Sequence, residues 1–424
     1  MPNPEILSDF TPIMKNVYLP FRKKLFPMLT PLLAQARRGG PKRVKYGGND
    51  LFFDVKVERR GGFVASSGGY FPDSKTAREK QGRLSIARTY VKVFVDGLAL
   101  KATANKKSAY ISAAAKSTED VMDDWKLEQN RILHGDSLAI RATIGTVTST
   151  TIVVAANPYG ISGSGPGNLH LVAGETISVL SSDGATHRGK TTISTIVLSG
   201  DDATITYSAA VAGQQVGDLI VTAPPAATHA TDNSWGAEPF GLKAIVDVEN
   251  AFATFEGISD ARWVAQKLTD TSVDELILMR LLNTIRARSG ADWRADPRNL
   301  LLLTTTGIWQ TYGNSMLGMR RYAAPTLKLK GGFTGVQVGN AVLIDDPWCP
   351  RGRVYAIHTP DTMFIDLMDF GHLNFQDTPT WRLAQTRDGY ETVFGAYWNY
   401  GVTARASHGV LSGVTDTVNY SPVF

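Results

Sequence analysis

Two stretches near the N-terminal end of the chain alternate apolar and polar residues, a period that predicts strands. Over 50–58 (DLFFDVKVE), Leu51, Phe53, Val55 and Val57 fall on one side and Asp54, Lys56 and Glu58 on the other. Over 88–96 (RTYVKVFVD), Val91, Val93 and Val95 share a side. About thirty residues rich in Gly, Ser, Lys and Arg lie between them, so the pattern predicts a two-stranded ribbon with a long tip. A lone two-stranded ribbon is marginal in water, and this one is expected to gain order from another chain.

The period lengthens over 106–132. Ile111, Ala114, Thr118, Val121, Trp125 and Ile132 form one stripe at three- and four-residue steps, with Gly135 as a stop signal. The stripe predicts a helix of roughly 40 Å. Residues 137–223 then lose helical periodicity. Runs such as TIVVAA, LHLVAGETISVL, KTTISTIVL and ATITYSAAV predict short strands of an all-β insert, closed by Pro224-Pro225. Beyond it, Ser272 and Glu275 have capping-box spacing and open a predicted helix through Leu276, Ile277, Leu281 and Ile285 to Arg288. Leu300–Leu303 predict a buried strand, followed by a helix around Ile308–Arg321 and glycine-punctuated strands to about residue 369. Residues 391–414 (ETVFGAYWNYGVTARASHGVLSGV) alternate like one long strand and a turn.

Residues 1–45 fit neither period. Prolines at 2, 4, 12, 20, 27, 31 and 41 break any long helix, yet Val17, Tyr18, Leu19, Phe21, Leu25, Phe26, Leu29, Leu32 and Leu33 are too apolar for a disordered tail. An extended arm lying on its own body or on a neighbour is expected. Its basic residues Arg22, Lys23, Lys24, Arg37, Arg38, Lys42, Arg43 and Lys45 change the picture further. Residues 1–107 hold 21 Lys+Arg against 8 Asp+Glu, a charge of +13, while the rest of the chain carries −8. Such segregation suits contact with a polyanion or with the acidic face of a neighbour (Glu119, Asp120, Asp123, Asp124).

Composition limits the remaining classes. The 424 residues are 43% apolar and 20% charged, ordinary for a folded chain of two or three domains. The single cysteine, Cys349, excludes an intrachain disulfide and a Cys-based zinc cluster. The N-terminus does not read as a signal peptide, and no run approaches the ~20 apolar residues of a membrane span.

One chemical motif matches in full. Gly184–Thr191 (GATHRGKT) fits the phosphate-cradling pattern GxxxxGK[ST], and Ala341–Asp346 (AVLIDD) resembles a Walker B run. The mechanism needs a helix directly after Thr191. The β-branched TTISTIVL that follows predicts a strand instead, so the motif reads as a hairpin turn. The seven histidines are scattered without metal-binding spacing, Gly160–Gly167 reads as a loop, and Cys349 reads as a packed thiol. No enzyme activity, cofactor or metal is expected.

The order of parts carries more than any motif. Basic arm, ribbon, long helix, β insert, α/β region and a returning strand together resemble the major capsid protein of tailed double-stranded-DNA bacteriophages, the Hong Kong 97-type fold. Local phrases agree: GDLIVTAP at 217–224, FGLKAIVD at 240–247, FEGISD at 255–260, GGFTGVQVGNAVLIDD at 331–346, GRVYAI at 352–357 and ARASHGVLSGV at 404–414. The resemblance implies an α+β fold with an N-terminal arm (1–45), an E-loop (46–100), a peripheral (P) domain with spine helix (101–136), an inserted β domain (137–235), a P-domain continuation (236–270), an axial (A) domain (271–369) and P-domain C-terminal strands (370–424).

The implied function is a non-catalytic shell subunit of the virion, assembled in the host bacterial cytoplasm. Implied partners are its own copies as hexamers and pentamers, a separate scaffolding protein, a portal, a decoration protein and packaged DNA held without sequence specificity; no membrane is involved. E-loop contacts with neighbours fall on Arg59, Arg60, Phe63, Tyr70, Phe71, Lys75, Arg78 and Lys80, and spine-helix packing on Ile111, Val121, Trp125 and Ile132. Some family members crosslink an E-loop lysine; Lys56, Lys75 and Lys80 lie in that region, and no crosslink is expected. An encapsulin-like compartment shares the fold and is the alternative. A nucleotide-binding protein and a carbohydrate-binding insert are more distant ones.

Overall fold

The computed structural model describes residues 30–38, 42–45, 50–61, 63, 65, 68–71, 73, 75–103, 113–225, 230–246, 255–289, 299–316, 326–328, 334–373, 380–385 and 387–416. The first part of the chain forms α1 (Pro31–Arg38), β1 (Lys42–Lys45), β2 (Asp50–Glu58), β3 (Arg78–Ser85), β4 (Ala87–Asp96), α2 (Gly97–Thr103) and the long α3 (Ala113–His134). The middle forms β5 (Ala142–Thr148), β6 (Thr151–Val154), β7 (Thr176–Leu180), β8 (His187–Ser199), β9 (Asp202–Tyr207) and β10 (Leu219–Thr222). Next come α4 (Leu242–Val246), β11 (Gln266–Thr269), α5 (Glu275–Ser289), β12 (Leu300–Thr304), α6 (Thr306–Ser315), β13 (Thr326–Lys328), β14 (Thr334–Val338), β15 (Ala341–Asp345) and β16 (Arg353–His358). The last are β17 (Thr362–His372), β18 (Arg382–Leu383), β19 (Gly389–Val402) and β20 (Gly409–Ser412).

A five-stranded sheet is organised around β19, with β4 along one edge and β17 and β18 along the other; β1 adds parallel to β17. The ribbon therefore differs from the sequence expectation. β2 pairs with β3, from Asp50↔Ser85 to Glu58↔Arg78, and β4 pairs over its whole length with β19. The reason is burial. Val93 and Val95 need a partner layer and find Phe394, with Val121 and Met122 of α3 packed against them. Strand β3 (REKQGRLS) is polar, so hydrophobic alternation does not reveal it.

Helix α3 lies across this sheet and ends where the Gly135 N–H bonds the Ile132 carbonyl at 2.9 Å. Trp125, Ile132 and Leu133 of α3 join the main core with Leu32, Leu33 and Ala36 of α1, and with Trp398, Tyr400 and Val402 of β19. The Leu33 N–H donates to Asn130 Oδ1 at 3.3 Å. Residues Pro31–Ala36 of the arm thus pack on their own body, only Ala34 being partly exposed.

The second sheet has seven strands in the order β11-β20-β16-β12-β15-β14-β13. Every residue of β12 is buried because both faces are covered. Leu301 and Leu303 enter the main core, while Leu300 and Leu302 pack with Leu278, Leu281 and Leu282 of α5 and Ile308 and Tyr312 of α6. Two local expectations change. Helix α5 is capped by Asp274, whose Oδ1 accepts the Ile277 N–H at 2.9 Å, rather than by Ser272. Segment 404–414, read from sequence as closing the P domain, sends β20 between β11 and β16 of this sheet. Helix α6 ends at Ser315, and the expected extension to Arg321 falls outside the described residues.

Strands β10-β5-β6-β9-β8-β7 close into a barrel. Its interior holds Ile144, Ile152, Val154, Ile177, Val179, Ile193, Ile205 and Ile220. The phosphate-loop pattern lies in the β7–β8 hairpin. Gly184 adopts φ +73°, and a Cβ there would meet the Trp235 ring at 2.0 Å. Lys190 Nζ donates to the Pro224 carbonyl at 3.1 Å, and Thr191 continues β8. With a strand after Thr191, no helix N-terminus is available to cradle a phosphate.

Candidate assembly surfaces

The β2–β3 ribbon carries its apolar tip into solvent. Nine residues of β2 at about 3.3 Å each give a reach of about 30 Å, and beyond them Phe63 is 88%, Tyr70 82% and Phe71 97% exposed. Single exposed hydrophobics are ordinary, but these three large aromatics lie exposed on one loop. Arg59, Arg60, Lys75 and Arg78 are exposed beside them, and Arg60 Nε donates to the Lys75 carbonyl at 3.1 Å, bracing the two sides of the loop. Lys80 differs from the rest. Its Nζ turns inward to the Ser259 carbonyl at 2.6 Å and to Asp260 at 3.9 Å, anchoring the ribbon to its own body.

That anchoring is dense at the ribbon base. The Arg83 N–H donates to the Glu256 carbonyl at 2.7 Å, and Asn399 Nδ2 donates to the Ser85 carbonyl at 2.6 Å. Arg262 reaches the Val57 carbonyl and Glu58, each at 3.4 Å. Leu84 is buried with Met363 and Ile365 of β17. Gly82 is needed because a Cβ there would meet the Phe53 ring at 2.3 Å. The ribbon is a lever: fixed at one end, exposed at the other.

The other expected residues divide as follows. Arg22, Lys23, Lys24 and Ile111 lie outside the described residues. Arg37 and Arg38 close α1, and Lys42, Arg43 and Lys45 belong to β1, where Lys42 and Lys45 pair with Met363 and Asp366 of β17. Val121 is half-buried, and Trp125 and Ile132 are buried against the sheet and α1.

The sequence reading missed a set of buried charges where the barrel joins the body. Arg141, on the outgoing strand connection, bonds Glu128 through both terminal nitrogens at 2.9 and 2.5 Å. Arg131 bonds Glu128 at 2.9 Å and also Glu238, on the returning connection. Burial would raise the Glu128 carboxyl, but the Arg131 and Arg141 guanidiniums outweigh it and hold it well below the ordinary range. Burial pushes Glu238 up instead, because its one direct guanidinium partner is shared. Lys243 pairs with Asp136 at 2.6 Å, and Arg351 grips Asp201 at 2.8 and 3.2 Å. These pairs fix the barrel at its root and at its β8–β9 tip. The Glu128-x-x-Arg131 spacing on a helix was the available signal.

A second buried group sits where the chain crosses between the sheets. His358 Nδ1 lies 2.8 Å from Asp361 Oδ2, and His408 Nδ1 accepts the His358 N–H at 3.3 Å. Burial pushes His408 down to about 3. Cys349 is buried, and burial together with Asp346 raises its thiol, so it stays protonated and packed. Among the described residues no helix is long and apolar enough to cross a membrane.

The fold defined by these parts is the mixed α+β fold of phage capsid subunits. The particular structure that shows it is a chain of the cyanophage A-1(L) capsid asymmetric unit, similar with a TM-score of 0.56 at 14% identity, over 97% of this chain and 100% of that one. The cyanophage P-SCSP1u capsid (TM-score 0.48, 7% identity, 96% and 94% covered) and the SrpI encapsulin of Synechococcus elongatus PCC 7942 (0.47, 8%, 99% and 99%) are also similar. No protein-family model and no curated protein sequence matches the chain.

Proposed function

We propose that this chain is the major capsid protein of a tailed double-stranded-DNA bacteriophage, a non-catalytic subunit of an icosahedral shell. The observation that carries the reading is the end-to-end likeness in fold to a capsid subunit. In this reading β2–β3 is the E-loop, α3 the spine helix, the five-stranded sheet the P domain, the seven-stranded sheet with α5 and α6 the A domain, and the barrel an inserted domain. The subunits form hexamers and pentamers, with the ribbon tip of one copy lying on the next. Obligate interfaces bury on the order of 2,000 Å² or more, and a protruding lever with an aromatic tip is suited to supply such area.

The charge of +13 over residues 1–107 supports contact with packaged DNA through phosphates, without base readout and weakened by salt. A separate scaffolding protein, a portal and a decoration protein complete the assembly, which takes place in the host bacterial cytoplasm and ends in the virion. Electron microscopy of the purified chain tests the proposal: shells or capsomers are expected, and a chain that stays monomeric at high concentration overturns it. Nucleic acid inside the particles separates a viral shell from an encapsulin-like compartment carrying protein cargo.

A further inference from the structure

One residue ties the ribbon to the end of β19. Glu256 sits in a tight turn closed by the Phe255–Ile258 bridge and adopts φ +53°, a conformation that disfavours side chains larger than glycine. Its backbone carbonyl accepts the Arg83 N–H of β3 at 2.7 Å, and its carboxyl Oε1 accepts the Val402 N–H at 2.9 Å. The fit is tight: a Cβ at Gly401 would come within 2.2 Å of Oε1 and 2.7 Å of Leu84. The side chain is buried, and among the described residues its second oxygen, Oε2, meets no hydrogen-bond donor.

A buried carboxylate with one oxygen unpartnered is costly when ionised, and far less so when it carries a proton. We propose that Glu256 is a proton-controlled latch, holding the ribbon base against β19 while its carboxyl is uncharged and releasing it on ionisation. The charged groups around it fit that role. Arg405, over the Phe255 ring at 5.4 Å, is committed through Nε to the Ile245 carbonyl at 2.6 Å. The Arg83 side chain turns away to Asp50 at 2.8 Å, and Lys80 to Asp260. His408 and Asp361 are the next ionisable groups along the Arg405 turn. Burial outweighs the Val402 hydrogen bond and the Arg405 charge, and pushes Glu256 up to about 8.

The direction follows by linkage. A carboxyl whose pKa is raised in the closed form stabilises closure below its ordinary value, and the benefit is lost as pH rises through the closed-form value. The latch should hold fully below about pH 4.5, loosen steadily as pH rises toward 8 and level off above it. Hydrogen exchange on the full chain tests this, without reference to whether it forms shells. Between pH 7 and 9, protection of peptides containing Arg83 and Val402 should fall roughly tenfold beyond the intrinsic chemical acceleration, while β12 peptides keep theirs. Glu256→Gln, which retains an oxygen acceptor for Val402, should flatten the dependence and remove the protonated-carboxyl infrared band that the unaltered chain loses over the same range. Flat protection in the unaltered chain overturns the latch. So does an unchanged drop in Glu256→Gln, or a parallel loss in β12.

Discussion

Trp125 of α3 lies flat on Phe370 of β17, ring centroids 4.4 Å apart and planes within 10° of parallel. Phe370 in turn stacks on Phe394 at 5.6 Å. The long helix is therefore fastened to the β17–β19 sheet by a run of three aromatic rings, and Trp125 is the one that a helical period alone could place. Trp125→Ala should destabilise the chain by about 3–5 kcal/mol, the range for a buried aromatic deletion. Chemical denaturation measures it; a loss below ~1 kcal/mol would mean that the rings do not hold helix and sheet together.

The legible parts of this fold were those whose apolar residues are buried. Val121, Trp125 and Ile132 mark α3, and Leu300–Leu303 mark β12, because apolar spacing reports burial directly. Strand β3 escaped because Arg78, Glu79, Gln81 and Arg83 spend their side chains on solvent and ion pairs, leaving Leu84 as its one deeply buried anchor. The partner of β4 was misassigned because pairing is set by register across 300 residues, which no local period encodes. Of the surface residues, Phe63, Tyr70 and Phe71 lie exposed. Lys80 turned inward, and a sequence gives no sign of which lysine on a strand will find a carbonyl. Glu256 was invisible for the same reason: its importance comes from Val402 and Arg83, each more than 140 residues away.

Glu128 ties both connections of the barrel to α3 through Arg131 and Arg141. Removing one member of a buried charge set leaves the others uncompensated, at about 3–5 kcal/mol for full burial. The Glu128 side chain is 29% exposed, so Glu128→Ala is expected to cost somewhat less, about 2–4 kcal/mol. The sign in pH is also fixed. A carboxyl held below its ordinary 4.5 contributes stability above that value and loses it as pH falls. The unaltered chain should therefore lose its advantage over Glu128→Ala on acidification below pH 4.5, followed by urea unfolding at several pH values. An advantage that persists at low pH would show that packing, not charge, is at work.

The ribbon tip and the ribbon base should separate under deletion. Leu84, Arg83 and Ser85 hold the base, so the excision should stop short of β3. Replacing residues 61–76 by a two-residue turn should leave a soluble chain with native circular dichroism and a melting temperature within a few degrees. Shells should fail to form, because Phe63, Tyr70 and Phe71 go with the excised loop. Intact particles from the shortened chain, seen by electron microscopy, would remove the tip from the assembly contacts; an unfolded chain would make the tip part of the fold.

His408 gives the acid limb. Burial holds it neutral to about 3, against an ordinary 6.5, with Arg405 and His358 opposing its protonation and Asp361 favouring it. A histidine whose pKa is depressed by folding is uncharged in the native chain, so stability is full above 6.5 and falls as pH drops toward 3. Each pH unit in that window is worth about 1.4 kcal/mol. Glu256 slopes the other way between 8 and its ordinary 4.5, which makes the total curve shallow and a comparison of variants the informative measurement. His408→Asn keeps a side-chain acceptor for the His358 N–H and cannot titrate. The stability difference between the two chains should shrink by roughly 2–3 kcal/mol between pH 7 and pH 4.5, read from urea midpoints. A difference constant across that range would mean that His408 gains its proton without leaving the crossover, and that the acid limb belongs to another group.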